Sequence, residues 1–195
     1  ATIKGAIITS GKKDFAAGMD LNVLADLRNA SGDNPAQGMF DGVMQMHHIL
    51  RKIERAGMDA KTNKGGKPIV SVLPGTALGI GLEIPLATHS IFAANNPKAK
   101  IGLPEIMVGI FPGAGCTTRL VRKLGAMAAS PYLLEGKTLA PAKAKSAGII
   151  DVVSDDPMSE EREFILNAND ADIVKPWDQK GYKMPGGTPD TPSVF

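Results

Sequence analysis

The sequence predicts an α/β fold in which short strands alternate with helices, and three observations carry that prediction. Runs rich in β-branched residues are repeatedly cut short by Gly, Pro and Asn turns. One long segment repeats its apolar residues at helical spacing. Glycine makes up 22 of 195 residues, above the usual share of roughly 7%, and many of these glycines fall between residues 65 and 115, where backbone geometry matters more than side-chain bulk.

Residues 3–9 form a short β-branched run that ends in Ser10-Gly11-Lys12-Lys13, the pattern of a buried strand entering a loop. The chain thus starts almost inside an element and without an initiator Met, and we expect natural sequence to precede it. Over residues 40–55 the positions Phe40, Val43, Met44, His47, Leu50 and Ile53 fall on one helix face, which makes this the clearest helix. Residues 68–73 read as a fully buried strand, followed by a Gly-rich turn and a short helix. Residues 90–94 and 100–102 are further strands around the turn Asn95-Asn96-Pro97. Helical patterns resume over 116–134 and 141–147, the latter with Pro in its first turn, and residues 149–153 are the last strand. After a polar helix over 159–167 the composition changes. Residues 175–195 hold four prolines and three glycines in 21 residues, as expected of a tether or an extended wrapping segment.

The bulk properties narrow the function. A chain of 195 residues suits one domain with a buried core. Lys plus Arg number 22 against 20 Asp plus Glu, scattered without long runs of one sign, which argues against nucleic acid as a partner. Cys116 is the only cysteine, so an internal disulfide and Cys-rich metal frameworks are excluded, and a reducing, cytoplasmic setting is expected. The longest uncharged stretch, residues 68–82, is broken by Pro74, Gly75, Gly79 and Gly81, and no signal segment opens the chain. Asn29-Ala-Ser31 matches a glycosylation sequon but stands without other signs of secretion.

Two segments carry chemistry. In Gly75-Thr-Ala-Leu-Gly79-Ile-Gly81-Leu-Glu83, alternate glycines let the backbone approach a ligand, and the turn into a helix points free N–H groups at it. Glu83 then lies in an apolar run, where a carboxylate is costly unless bonded or used; the plainer reading is a helix-start glutamate favoured by the helix dipole. The turn lacks the third glycine of a dinucleotide fingerprint. In Gly102-Leu-Pro104-Glu105-Ile-Met-Val-Gly109-Ile-Phe-Pro112-Gly113-Ala-Gly115-Cys116, Glu105 again faces apolar neighbours, and the loop from Gly113 into a helix offers N–H groups to an anion or a water. Two carboxylates beside Gly-rich N–H sources point to general acid–base work next to an anion-stabilising pocket. A third small-residue turn, Phe15-Ala-Ala-Gly18-Met19-Asp20-Leu21, reads on its own as a solvated loop with Asp20 as an N-cap. His47 and His48 read as packing or surface residues, and Cys116 as small-residue packing.

Taken together and in this order, the turn at 15–21, the segment from Lys67-Pro-Ile-Val to Gly79-Ile-Gly-Leu-Glu83, and Leu103-Pro-Glu105 to Phe111-Pro-Gly-Ala-Gly115 closely resemble the crotonase (enoyl-CoA hydratase/isomerase) superfamily. Leu134-Glu-Gly-Lys-Thr and Ala147-Gly-Ile-Ile-Asp151 extend the resemblance over about residues 3–155. It implies a spiral of ββα units, of which the first strand and helix are expected to be missing. It also implies an oxyanion hole made by the N–H groups of Met19 and Ile80 for the carbonyl oxygen of an acyl-CoA thioester. By the same resemblance Glu83 would act as the base on water, Glu105 would supply the proton at Cα, and the Gly113 N–H would help to place the water. Lys13 matches a position that contacts the CoA phosphates, and Ala17, Asp20 and Gly79 fall at substrate-binding positions. Neither a metal nor a cofactor is expected, since coenzyme A belongs to the substrate. Three residues depart from the family pattern: Ile80 and Cys116 stand where glycine is usual, and Met19 where alanine is frequent. Each keeps its N–H, but the branched Ile80 restricts its backbone and narrows the pocket.

The tail from Ala171-Asp-Ile-Val-Lys-Pro-Trp to Met184-Pro-Gly-Gly187 is similar to the segment that follows the hydratase part in bacterial multifunctional fatty-acid-oxidation α subunits. The expected layout is a hydratase domain over 1–155, then a helix and linker over 156–195 leading towards a dehydrogenase domain that is absent here. The expected activity is hydration of a trans-2-enoyl-CoA to a 3-hydroxyacyl-CoA in fatty-acid β-oxidation, by a homo-oligomer or as part of a multifunctional complex. A Δ3-Δ2 enoyl-CoA isomerase, which needs only one acid, and a non-catalytic acyl-CoA-binding or assembly module are the alternatives.

Overall fold

A computed structural model of the chain describes residues 2–23, 26, 33–188, 190 and 191; the sequon at 29–31 and, from the tail, residues 189 and 192–195 lie outside them. Strands come in pairs. β1 (Ala6–Ile8) is followed by β2 (Ala16–Ala17), β3 (Ile69–Leu73) by β4 (Ala77–Leu78), and β5 (Ile91–Ala94) by β6 (Ile101–Gly102). The first strand of each pair joins one sheet, ordered β1-β3-β5-β8, and the second joins another, ordered β2-β4-β6-β7. A helix closes each pair: α1 (Pro35–Arg55), α2 (Ile80–Ala87) and, after a 3₁₀ turn at Pro104–Val108, α3 (Cys116–Leu124). This is the spiral of ββα units. The remaining elements are α4 (Ala126–Leu134), β7 (Thr138–Leu139), α5 (Pro141–Ser146), β8 (Val152–Ser154), α6 (Pro157–Asn167), α7 (Asp170–Ile173) and a 3₁₀ turn at Pro176–Asp178.

All pairings in the first sheet are parallel. Its inner strand β3, Ile-Val-Ser-Val-Leu, is paired along both edges and buried at every residue from Val70 to Leu73, hence on both faces, which is why it reads as an apolar run interrupted only by Ser71 rather than as an alternation. The core is built from Leu73, Leu82, Ile91, Ile101, Leu103 and Leu120, so the short second strands and α2 share one apolar interior with β3 and β5.

Several element boundaries differ from the sequence expectation for identifiable reasons. Helix α1 begins at Pro35 rather than at residue 40, because Asn34 caps it, its side chain accepting from the Gln37 N–H at 3.1 Å, and Pro35 occupies its first turn. That first turn carries no apolar period and so escapes a pattern based on spacing. The helix expected over 116–134 is two helices, broken at Gly125 with φ 90° and ψ 158°. At that break the Pro185 carbonyl fills the space a side chain would need. The last strand starts at Val152, since Ile149 and Ile150 are buried in the turn that leaves α5 instead of in a ladder. Of the two readings of the tail, the wrapping one describes its first half. Lys175 Nζ donates to the Leu86 carbonyl at 3.1 Å and to the Thr88 carbonyl, and Asp178 takes two bonds from Arg51 at 2.8 and 2.6 Å. Further on, the Tyr182 hydroxyl donates to the Arg122 carbonyl at 2.5 Å.

Candidate active site

The site grows from the entrance of α2. Gly79 stands at φ 58° and ψ −127°, a conformation closed to residues with a Cβ, and its carbonyl accepts the N–H groups of Leu82 and Glu83 at 2.7 and 3.0 Å. A Cβ there would lie 3.1 Å from Glu105 Oε1 and 3.6 Å from the Gly18 Cα, so this one glycine is where the three motif segments meet. Two residues on, a Cβ at Gly81 would lie 2.6 Å from the Ala16 carbonyl oxygen. The absence of that Cβ lets β2, and with it the turn carrying Gly18 and Met19, lie against α2.

Glu83 follows in the first turn of α2 and is 3% exposed. Its Oε1 accepts the N–H of Ala114 at 2.9 Å and that of Cys116 at 3.1 Å. Burial pushes its carboxyl above the ordinary range, and the two N–H groups, with the Arg119 charge behind them, pull the other way. Glu105 lies in the 3₁₀ turn; its Oε2 is buried and has no partner among the described residues. Its carboxyl is likewise raised, by burial first and by the charge of Glu83 in addition. Both glutamates border a cleft of about 560 Å³, together with Ala17, Met19, Gly79, Ile80 and Gly113. The rest of the cleft wall is apolar, including Leu21, Met39, Val43, Met46, Met107 and Phe111. The N–H groups of Met19 and Ile80 are taken by no other backbone group among the described residues.

The structure therefore brings Ala17, Met19, Gly79, Ile80, Glu83, Glu105 and Gly113 to one place. Lys13 and Asp20 do not border that cleft. Lys13 is exposed on the loop before β2. Asp20 caps the helical turn that begins at Leu21, accepting the backbone and side-chain N–H groups of Asn22, each at 2.9 Å.

Behind the cleft lies a layer that the motifs did not reveal. Arg119, 6% exposed, donates from Nε to Glu54 Oε1 at 3.0 Å and from Nη1 to the Ala114 carbonyl at 2.9 Å. Glu54, 3% exposed, also meets Arg51 at 3.0 Å. His47 Nε2 donates to the Gly113 carbonyl at 2.8 Å. Cys116 is fully buried; its thiol is raised by burial, and it serves the site through its N–H. One signal for this layer was present in the sequence: Glu54 shares a helix face with His47 and Leu50, and a carboxylate on an apolar face calls for a buried cation.

Known proteins resemble this chain in sequence and in fold. The sequence model of the enoyl-CoA hydratase/isomerase family matches residues 1–167. The fatty acid oxidation complex subunit alpha of Aliivibrio fischeri is 36% identical over 152 residues, which is 77% of this chain and 20% of that protein. That of Shewanella halifaxensis is 34% identical over 151 residues, 77% of this chain and 19% of that protein. The chain thus spans about a fifth of the length of these relatives. The crystal structure of enoyl-CoA hydratase from Thermoplasma volcanium GSS1 superposes with a TM-score of 0.65 at 29% identity, covering 81% of this chain and 56% of that one. A family match over residues 1–167, with the agreement in fold, shows that this protein belongs to the enoyl-CoA hydratase/isomerase family, the crotonase fold.

Proposed function

We propose that the chain is an enoyl-CoA hydratase, adding water to a trans-2-enoyl-CoA thioester to give the 3-hydroxyacyl-CoA. The observation that carries this reading is the pair of glutamates in unequal surroundings on one apolar cleft, beside two N–H groups with no backbone partner among the described residues. The thioester carbonyl oxygen sits between the N–H groups of Met19 and Ile80, which stabilise the enolate-like charge as it develops. Glu83, with Oε1 held by two N–H groups, keeps Oε2 for a water and takes one of its protons while the hydroxyl adds to Cβ. Glu105, whose burial favours the protonated carboxyl, delivers a proton to Cα. The acids end with exchanged protonation states, and exchange with solvent restores them. Gly113 helps to place the water. Gly79 and Ala17 shape the floor under the thioester; Lys13 and Asp20 stand outside the cleft wall, and in this reading they serve the CoA part of the substrate, the Lys13 cation meeting its phosphates. The reaction as written uses only the thioester and water.

The relatives' name and greater length support placing this module, residues 1–155, in a longer fatty-acid oxidation subunit; in our reading that pathway is β-oxidation, residues 156–195 lead on from the module, and the setting is the cytoplasm. Among the described residues no helix is long and apolar enough to cross a membrane.

The test is the absorbance decay of crotonyl-CoA. The unmodified chain should hydrate it, and Glu83→Gln and Glu105→Gln should each slow the reaction by about 10²–10⁴-fold with the fold intact. No decay with the unmodified chain would overturn the hydratase reading. An isomerase instead converts a 3-enoyl-CoA and survives the loss of one of the two acids.

A further inference from the structure

Beyond the residues that border the cleft, the layer behind Glu83 has a specific construction. Ala114 N–H and Gly113 C=O are two ends of one peptide unit, and in a trans peptide they point in opposite directions. The N–H end of that unit holds Glu83 Oε1 at 2.9 Å, while its carbonyl end is held by His47 Nε2 at 2.8 Å. The next unit has its carbonyl, that of Ala114, held by Arg119 Nη1 at 2.9 Å. The unit after that presents the Cys116 N–H to Glu83 at 3.1 Å, and its Gly115 carbonyl accepts the Arg119 backbone N–H at 2.9 Å. A Cβ on Gly115 would collide with Arg119 Nη1 and lie 3.5 Å from His47 Cε1, so both side chains close on the same short stretch. Arg119 is itself fixed by Glu54, and Glu54 lies two turns after His47 on the same face of α1.

We propose that His47 and Arg119 are positioning residues for Glu83: from behind the cleft they clamp the carbonyls of the loop that presents its N–H groups to the Glu83 carboxylate, and so set its place and its charge from helix α1. Hydrogen bonds in series polarise one another, so His47 on the Gly113 carbonyl strengthens the Ala114 N–H as a donor to Glu83, whereas Arg119, on the next peptide, fixes the loop and adds its charge. Besides these two, the charged or titratable groups acting on Glu83 are Glu105 from the 3₁₀ turn and the Cys116 thiol from α3, with Glu54 beyond Arg119. Only the catalytic meaning of the clamp rests on the hydratase reading.

The experiment is a titration of the Glu83 side chain by carbon-13 NMR on the full chain without any thioester, with the Glu83 signal assigned by its loss in Glu83→Gln. In folded His47→Leu the Glu83 midpoint should rise by about one pH unit, and His47→Gln, which keeps a side-chain N–H donor, should return most of the change. Arg119→Lys keeps the cation but loses the fork that joins Ala114 to Glu54, and should also raise the midpoint. Hydration of crotonyl-CoA should show its acid limb displaced to higher pH in the same order, with KM little changed. A folded His47→Leu whose Glu83 titrates as in the unmodified chain overturns the proposal. If the NMR shift is present but no variant hydrates crotonyl-CoA, the clamp stands and the hydratase reading falls. If hydration is present without the shift, the clamp falls alone.

Discussion

Single residues decide how close the motif segments come. Gly81 is a case of close approach: an added Cβ would lie 2.6 Å from the Ala16 carbonyl oxygen and 2.8 Å from the Ala16 Cβ, neither of which is a flexible side-chain end. Gly81→Ala should therefore lower stability by about 1–3 kcal/mol, read from the midpoint of chemical denaturation. It should also slow crotonyl-CoA hydration by more than its stability loss explains, because the Met19 turn moves away from Ile80. Wild-type hydration and stability in Gly81→Ala would show that β2 and α2 need no such contact. At this scale the carboxylates were legible in the sequence, since an acid in an apolar run announces a cost that something must offset. Their partners were not. The Ala114 and Cys116 N–H groups that hold Glu83 lie more than thirty residues away, and no local pattern marks a backbone donor as reserved for a distant carboxylate.

Elements carry a second kind of information, in how a helix meets a sheet. Helix α6 lies against β3, β5 and β8, and its Phe164 ring packs on Phe92 with centroids 6.0 Å apart. The same helix buries Glu161 completely, at 0% exposure, with neither carboxyl oxygen hydrogen-bonded among the described residues. Burial pushes this carboxyl up to about 7, the neighbouring Arg162 acting in the opposite direction. A folded-state value above that of the unfolded chain means that the folded protein holds the extra proton. The contribution to stability is fully present below the unfolded value, about 4.3, and is lost as pH rises through about 7. Denaturation midpoints should thus fall between pH 5 and pH 8, and Glu161→Gln, which cannot ionise, should flatten that fall. Parallel slopes in the two proteins would count against a buried, unpartnered Glu161. The sequence showed α6 as a polar helix, and alternation alone did not disclose that one of its glutamates faces the sheet. Where the cap residues were distinctive, as in Asn34-Pro35, the signal was present but the apolar spacing outweighed it.

On the scale of the whole molecule the tail matters most. Residues 175–182 run across three elements. Lys175 is bonded to the carbonyls of Leu86 and Thr88 at the end of α2 and sits 5.4 Å from the centre of the Trp177 ring, Asp178 meets Arg51 of α1, and Tyr182 meets Arg122 of α3. Burial draws the Lys175 ammonium down to about 8. Lys175→Met removes the donor from two carbonyls and should lower stability by about 1–3 kcal/mol, and the segment after it should become an early site of limited proteolysis. Unchanged proteolysis and stability would make the contact incidental. Because Asp178 also joins the Arg51–Glu54–Arg119 chain of charges, the tail connects to the layer behind the cleft that Glu83 and Glu105 border.

By itself the sequence determined the α/β class from β-branched runs and Gly and Pro turns, and the family, with the ββα repeat it implies, from motifs in a fixed order; the two-residue strands β2, β4 and β7 are too short to leave such a run. It also singled out Glu83 and Glu105. Only the tertiary structure decided that second strands leave the first sheet to build another, and that Gly79 is the meeting point of three segments. It alone joined His47, Glu54 and Arg119 to the loop that grips Glu83. The physical reason is one of range. A hydrogen bond between groups sixty or more residues apart leaves no periodic trace in the chain, and it exists only when packing has brought its two ends together.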